Sequence, residues 1–472
     1  MAPFVNTSPD ETILNTHKTE NKNAVAIGSS DISQEFTVEE IQLLQELFLR
    51  SPGMKLEDVE SICACTPMQE AILLSQAQGT GDYIIRSTFE LHSLNGHPFD
   101  FQRLNEAWRN LVQQSDVLRT TFVSTTSGKT LFYQAVLKKV TTAIQKVEYE
   151  SVNDFIAASP DCAADRGVSH RLVFCKTPDG PDCLKIEMHH SVADAHSSYK
   201  IFHELMRLYD QPDAQLQGPP FRDFVQHLED SPEEEQKLDY WQSFLANVQP
   251  SMFPQLRIGD KPARSFERKE RRVQLDRDAI LKLTAKSSPV SFSMFFHVVW
   301  SVLLRAYLGR DDVMFGYISS GRRNVPLPNV ADALGPYICM MVACARMEEE
   351  SVSLMELAGQ LRKNVARGWA HEQCSLVSIQ RKMQSNGGLF NTLVDVQRIS
   401  KLAHTSTEMY MDLVHVHTVA EYDLVLSIED TGDDLLARIS YQTSLLGDAD
   451  VENIASCFLS IVNQLRDGTA LH

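Results

Sequence analysis

Nine consecutive residues, His189-His190-Ser191-Val192-Ala193-Asp194-Ala195-His196-Ser197, carry three imidazoles and a carboxylate. An imidazole takes up a proton near neutral pH, and it works as a general base when a fixed neighbour sets its tautomer and orientation. His190 is the candidate base, with Asp194 four residues beyond it. Paired histidines also occur as hydrogen-bonded strand ends without catalytic duty, so the spacing alone leaves both readings open. A zinc centre fits less well, because the helical i, i+4 pairing and a third ligand are missing. No metal is expected.

The flanking residues show how such a group would be held. Before the histidines, Cys183 to Met188 alternates apolar and polar residues, which predicts a strand with one wet face. After them Tyr199, Phe202, Leu205, Met206 and Tyr209 recur at helical spacing, and Asp194 stands where a carboxylate accepts free backbone N–H groups at a helix start. The histidines are thus expected at a strand-to-helix corner. Arg171 to Cys175 and Cys183 to Met188, joined by Thr177-Pro178-Asp179-Gly180-Pro181-Asp182, predict the hairpin that delivers it.

Residues 1–35 are polar and aperiodic, and a disordered leader is expected there. A short helix should follow, with Ile41, Leu44, Leu47 and Phe48 on one face. Further strands are predicted at Asp82 to Leu91, Thr120 to Val123 and Leu131 to Leu137, and a helix on Phe101, Leu104, Trp108, Leu111 and Val112. The break at Gly218-Pro219-Pro220 precedes a lobe boundary, dividing an N-terminal lobe (36–235) from a C-terminal lobe (236–472). The second lobe is read as strands near Arg271, Val313, Ile338, Asn391, Met411, Asp423 and Leu435. Helices are expected up to Leu308, from Leu354 to Glu372 and from Val451 to Leu465. Phe292 to Leu308 is apolar but contains His297 and Arg305, and it reads as a core helix, with no membrane partner expected.

A net charge of −18, with no basic stripe, argues against nucleic acid. Nine cysteines, an odd number scattered in apolar runs, fit buried thiols and a cytoplasmic location. Cys63 with Cys65, and His371 with Cys374, look metal-like only locally. Ser319-Ser320-Gly321-Arg322-Arg323 has one glycine where a dinucleotide loop needs three, and no serine is framed as GxSxG. A base without a covalent nucleophile suits direct attack of an amine or alcohol on an already activated acyl group.

From about residue 60 to 465 the chain resembles the condensation domains of fungal nonribosomal peptide synthetases. The resemblance rests on Cys65-Thr66-Pro67-Met68-Gln69-Glu70, Leu118-Arg119-Thr120-Thr121-Phe122, the His-His segment and Tyr240-Trp241. It continues, in the family's order, through Phe315 to Arg322, Gly335-Pro336-Tyr337-Ile338-Cys339-Met340 and Leu389-Phe390-Asn391-Thr392. It implies an α/β (α+β) chloramphenicol-acetyltransferase-like fold, with two lobes in a V around a central substrate tunnel. His190 matches the family's catalytic residue. His189, Asp194, Arg322 and Ser197 match its motif and structural support, with Asp194 paired to Arg322. Ala195, Gly335, Tyr337 and Asn391 are the tunnel candidates. No cofactor of its own is implied; the substrate would arrive on the phosphopantetheine of a carrier domain, in cis or in trans.

The implied activity is transfer of an acyl or peptidyl group from that thioester to a nitrogen, forming an amide and releasing a cyclic product if the nitrogen is intramolecular. Ester formation with a hydroxyl acceptor and a non-catalytic docking module are the alternatives. Cyclising fungal domains carry SHxxxDxxS or SHxxxDxxT; Ser197 fits that tail, whereas His189 replaces its first serine. Ala195 stands where the family has glycine. Heterocyclisation domains carry aspartate at the first histidine, epimerisation domains an EGHGR-type segment and plant acyltransferases DFGWG, and none of these matches.

Overall fold

The computed structural model of the chain describes residues 41–45, 55–77, 83–94, 99–125, 130–158, 169–178, 180–230, 234–254, 267–285, 288, 290–347, 354–385, 388–398, 406, 408–417 and 422–467. The expected leader, Leu47, Phe48, Asp82 and Asp179 lie outside these residues. Residues 41–45 are helical and belong to a unit of their own, Met1–Gly53. Everything below concerns the second unit, Met54–His472.

Its site-bearing sheet has five strands in the order β12-β2-β7-β6-β5: β12 (Met409–His417), β2 (Ile84–Ser93), β7 (Asp182–His189), β6 (His170–Lys176) and β5 (Gln145–Glu148). The expected hairpin is there, with β6 and β7 antiparallel from His170↔Met188 to Cys175↔Cys183. The expected wet face of β7 is not. Lying mid-sheet, the strand is buried from Cys183 to His189. Its polar residues are neutralised inside the protein, since a buried charge without a partner is costly. Arg171 Nη2 lies 2.6 Å from Glu187, and Arg86 Nε 3.6 Å away on the other side. Lys185 donates to the carbonyls of Phe155 (2.5 Å) and Ala158 (2.8 Å). Alternation in the sequence thus reported two buried faces of different polarity.

α1 (Pro67–Ala77) precedes β2, and α2 (Phe101–Gln114) follows it. Asp100 starts α2 by accepting the N–H groups of Gln102 (2.9 Å) and Arg103 (3.2 Å), and Leu104, Ala107, Trp108, Leu111 and Val112 form its buried face. The short α3 (Val152–Ala157) ends in the carbonyls that Lys185 caps. α4 (Ala195–Asp210) leaves the His-His corner and packs with α2 on the sheet around Phe89, Leu184, Ile186 and Met188. A small sheet, β1-β4-β3, comprises β1 (Val59–Ala64), β4 (Phe132–Leu137) and β3 (Thr120–Ser124).

α5 (Phe221–Glu229) and α6 (Glu234–Phe244) lead to a six-stranded sheet ordered β10-β9-β11-β13-β14-β8. These strands are β10 (Cys339–Arg346), β9 (Asp312–Ser319), β11 (Thr392–Arg398), β13 (Leu424–Asp430), β14 (Leu435–Gln442) and β8 (Arg268–Leu275). The helices of this part are α7 (Arg277–Leu283), α8 (Phe292–Leu308), α9 (Leu354–Gly368), α10 (Leu376–Lys382) and α11 (Asp448–Arg466). The apolar α8 is a core helix packed among α9, α11, β9 and β11. No described helix is long and apolar enough to cross a membrane.

Two segments cross the expected lobe assignment. β12 pairs with β2, so residues 409–417 complete the first sheet. Ala333, Leu334 and Tyr337 join the first sheet's core.

Candidate active site

The corner is tied down by backbone bonds at each step. His189 N–H donates to Ser169 O (2.7 Å), His190 N–H to Tyr83 O (2.7 Å) and Val192 N–H to His189 O (3.0 Å). The two imidazoles then part company. His189 is buried; its Nδ1 faces the Ser191 hydroxyl at 2.5 Å, and its Nε2 lies 3.0 Å from the Gln76 side-chain oxygen. His190 is half-buried, and its Nδ1 makes no hydrogen bond. Burial lowers the basicity of the His190 ring below the ordinary histidine value, opposed by the carbonyls of His190 and Ala193 and by the Asp194 charge. The ring is therefore neutral, and able to accept a proton, at neutral pH.

Asp194 caps α4 through the N–H of Ser197 (2.7 Å). Its other partners come from far along the chain: Arg322 Nη1 at 2.7 Å, Arg322 Nη2 at 3.3 Å and the N–H of Tyr337 at 3.1 Å. Burial alone would raise this carboxyl, but Arg322 and the Ser197 bonds outweigh it and hold the group below its usual value. The expected Asp194–Arg322 pair is present, fully buried on the aspartate side.

Ser197 closes the same cluster. Its hydroxyl donates to Gly335 O (2.6 Å) and accepts from Arg322 Nη2 (2.8 Å) and Gly335 N–H (2.9 Å). The serine that matched a cyclising signature is thus occupied in holding two loops together. Gly335 has φ +140, and a Cβ there would meet Phe221 Cδ2 at 2.2 Å. Gly321 has φ +63, and its Cβ would fall 1.8 Å from Tyr337 O. Only glycine fits either turn.

The four tunnel candidates sit in different surroundings. Tyr337 is fully buried, with its ring against Phe221 and Phe224 and Arg322 stacked over it at 4.3 Å. Gly335 is buried in the same joint between the loops. Asn391 has its amide engaged, accepting from Phe253 N–H (2.6 Å) and donating to Asp423 (2.8 Å). Ala195 alone of the four is exposed, on the first turn of α4. His196, also exposed, lies 2.8 Å from Ala331 O.

Sequence reasoning missed the part played by Gln69 and Gln76. Gln69 is fully buried and donates to Ser191 O (3.0 Å) while its oxygen accepts from Thr66 N–H (2.9 Å). Their seven-residue spacing, two helical turns, was the available signal. Among the described residues no group of three His, Cys, Asp or Glu could hold a metal ion.

Residues 59–471 match the Condensation domain family. The chain is 30% identical over 422 residues to Nonribosomal peptide synthetase 5 of Gibberella zeae, covering 86% of this chain and 4% of that protein. It is 28% identical over 463 residues to Nonribosomal peptide synthetase easA of Emericella nidulans, covering 96% of this chain and 7% of that one. The chain spans only that small share of the length of these curated relatives. Among solved structures, the condensation domain from Monacolin K polyketide synthase MokA superposes with a TM-score of 0.72 at 17% identity, covering 88% of this chain and 100% of its own. The starter condensation domain of rhizomide synthetase RzmA gives 0.69 at 14% identity, covering 87% and 96%. At such identities the likeness establishes the shared fold, the chloramphenicol-acetyltransferase-like α/β architecture. With its sequence matched over nearly all of the second unit, this chain belongs to the condensation domain family.

Proposed function

We propose that the chain transfers an acyl or peptidyl group from a carrier-bound phosphopantetheine thioester to a nitrogen nucleophile. The observation that carries this reading is His190, a neutral, half-buried imidazole whose backbone is fixed on a rigid strand-to-helix corner. The amine nitrogen attacks the thioester carbonyl, the C–N bond forms, His190 receives the proton from nitrogen, and the C–S bond breaks. The thiolate then takes the proton, and the free phosphopantetheine arm leaves. Its Nδ1 is buried away from any substrate, so Nε2 is the nitrogen that would receive the proton. The protein's share is approximation and proton transfer, since the thioester is already activated.

Where the nitrogen belongs to the same peptidyl chain, the product is a released cyclic amide; where it belongs to a second carrier-bound substrate, it is a longer linear chain. Ser197 does not bear on this choice, being spent between Arg322 and Gly335. The test is to mix the protein with a carrier domain loaded with a peptidyl thioester and to follow the carrier's mass. Unloading by the wild type and not by His190→Ala supports the reading. A product lighter by one water than the linear acid identifies cyclisation. Equal unloading by both proteins would remove His190 from the chemistry.

A further inference from the structure

α1 touches the His-His corner at two places, and the second defines the state of a ring. The backbone N–H of Ser191 points at His189 Nδ1 from 3.2 Å. An N–H only donates, so Nδ1 must hold the lone pair and the proton of a neutral ring must sit on Nε2. The Gln76 oxygen lies 3.0 Å from that Nε2. The opposite orientation of the amide would set two donors face to face. Gln76 is therefore matched to one tautomer of His189.

The match is built into the helix. Gln69, two turns earlier, is locked by Thr66 N–H on its oxygen and by exchange with the Gln134 amide at 3.1 and 3.2 Å. Its own N–H group holds Ser191 O. Thr66 and Gln69 also bond reciprocally at the start of α1, with Gln69 N–H on the Thr66 hydroxyl at 3.3 Å. The helix grips the turn at the His189 ring and at the Ser191 carbonyl, on either side of His190. A rotated His189 ring would leave the buried Ser191 N–H facing the wrong atom, and such an orphaned group is costly.

We propose that Gln76 is a positioning residue for the condensation site: by accepting the Nε2 proton of His189 it fixes that tautomer, and with it the turn that aims His190. The proposal rests on the acyl-transfer reading only for its kinetic consequence, because the tautomer can be read without substrate.

The experiment uses the full chain with ring-15N histidine, His189→Gln assigning the resonances, alongside Gln76→Met and Gln76→Glu. In the wild type His189 should show a protonated Nε2 and a bare Nδ1. Gln76→Met should lose the protected Nε2–H signal and lower kcat on a loaded carrier roughly tenfold, as one lost buried hydrogen bond would, with KM nearly unchanged. Gln76→Glu, which keeps an acceptor oxygen, should restore the signal and most of the turnover. A wild-type proton on Nδ1, or a Gln76→Met protein with both signal and turnover intact, overturns the proposal. So does a folded Gln76→Glu protein that lacks the signal, which settles the matter if the methionine variant fails to fold. Should no carrier substrate turn over even in the wild type, the acyl-transfer reading falls and the tautomer measurement still decides this one.

Discussion

Asp194 and His190 stand four residues apart and are held in opposite ways. Asp194 is fully buried, with the N–H of Ser197, the N–H of Tyr337 and both ends of the Arg322 guanidinium on its two oxygens. His190 is half-buried, fixed through its backbone, and its Nδ1 is without a hydrogen bond. The difference is one of duty. A carboxylate with every lone pair committed has nothing left for a substrate, and removing it should cost structure. An imidazole held only by its main chain keeps a nitrogen for chemistry, and removing it should cost rate.

The sharpest way to break this contrast is at His190. His190→Ala should lower turnover on a loaded carrier by roughly 10²–10⁴-fold, the usual worth of a positioned base, with the urea midpoint nearly unmoved. A large loss of stability with little change in rate would reverse the assignment of duties. Next comes Asp194→Ala, which strands the buried Arg322 charge and should cost about 3–5 kcal/mol in urea denaturation. Combining it with Arg322→Met should cost less than the sum of the two single changes, since the pair shares one interaction. Simple additivity would mean that the two groups do not depend on each other.

Acid should probe the cores together with the corner, since burial shifts His190 in the same direction as the core histidines. His170, against Trp108 and bonded to Leu118 O at 2.8 Å, and His297, between Phe315 and Tyr317, are both buried and shifted down to about 4. The unfolded chain protonates them near 6.5, so it binds more protons than the folded one below that pH. Stability should be flat above pH 7 and fall as pH drops from about 6.5 towards 4, by up to about 3 kcal/mol for each histidine. Urea titrations at pH 7.5 and 5 compare the two conditions, and His170→Gln with His297→Gln should flatten the difference. The smallest effect is expected at Lys185→Met, which leaves the α3 carbonyls unmatched and should cost about 1–2 kcal/mol, with turnover unaffected. A loss of activity there would show that the far end of the sheet is coupled to the corner.

Local patterns carried much of this site. The corner, the hairpin that delivers it, the start of α4 at Asp194 and the Arg322 pairing were all legible, because turns, caps and ordered motifs are written in nearby residues or in a family resemblance. Gln69 lay within a recognised motif, but its target is a carbonyl 122 residues away. Gln76 was not read at all, since a glutamine on a helix face looks solvated until its partner is known. Lys185 and Glu187 misled for the same reason: alternation reveals polarity, and only the sheet order reveals what lies on each side. That Tyr337 and Gly335 pack against Phe221 was equally out of reach of local pattern, because Phe221 lies more than a hundred residues earlier in the chain.

By itself the sequence determined the elements, the strand-to-helix corner, the absence of a framed serine nucleophile and the chemical character of a base without one. The tertiary structure alone decided that β12 completes the first sheet, that Ser197 and Asp194 are spent on a joint between distant loops, and that two glutamines of one helix hold the turn. The physical reason is range. Caps, turns and periodicity are set by contacts within a few residues, whereas the burial of a charge and the partner of a side chain depend on segments that meet only once the chain is folded.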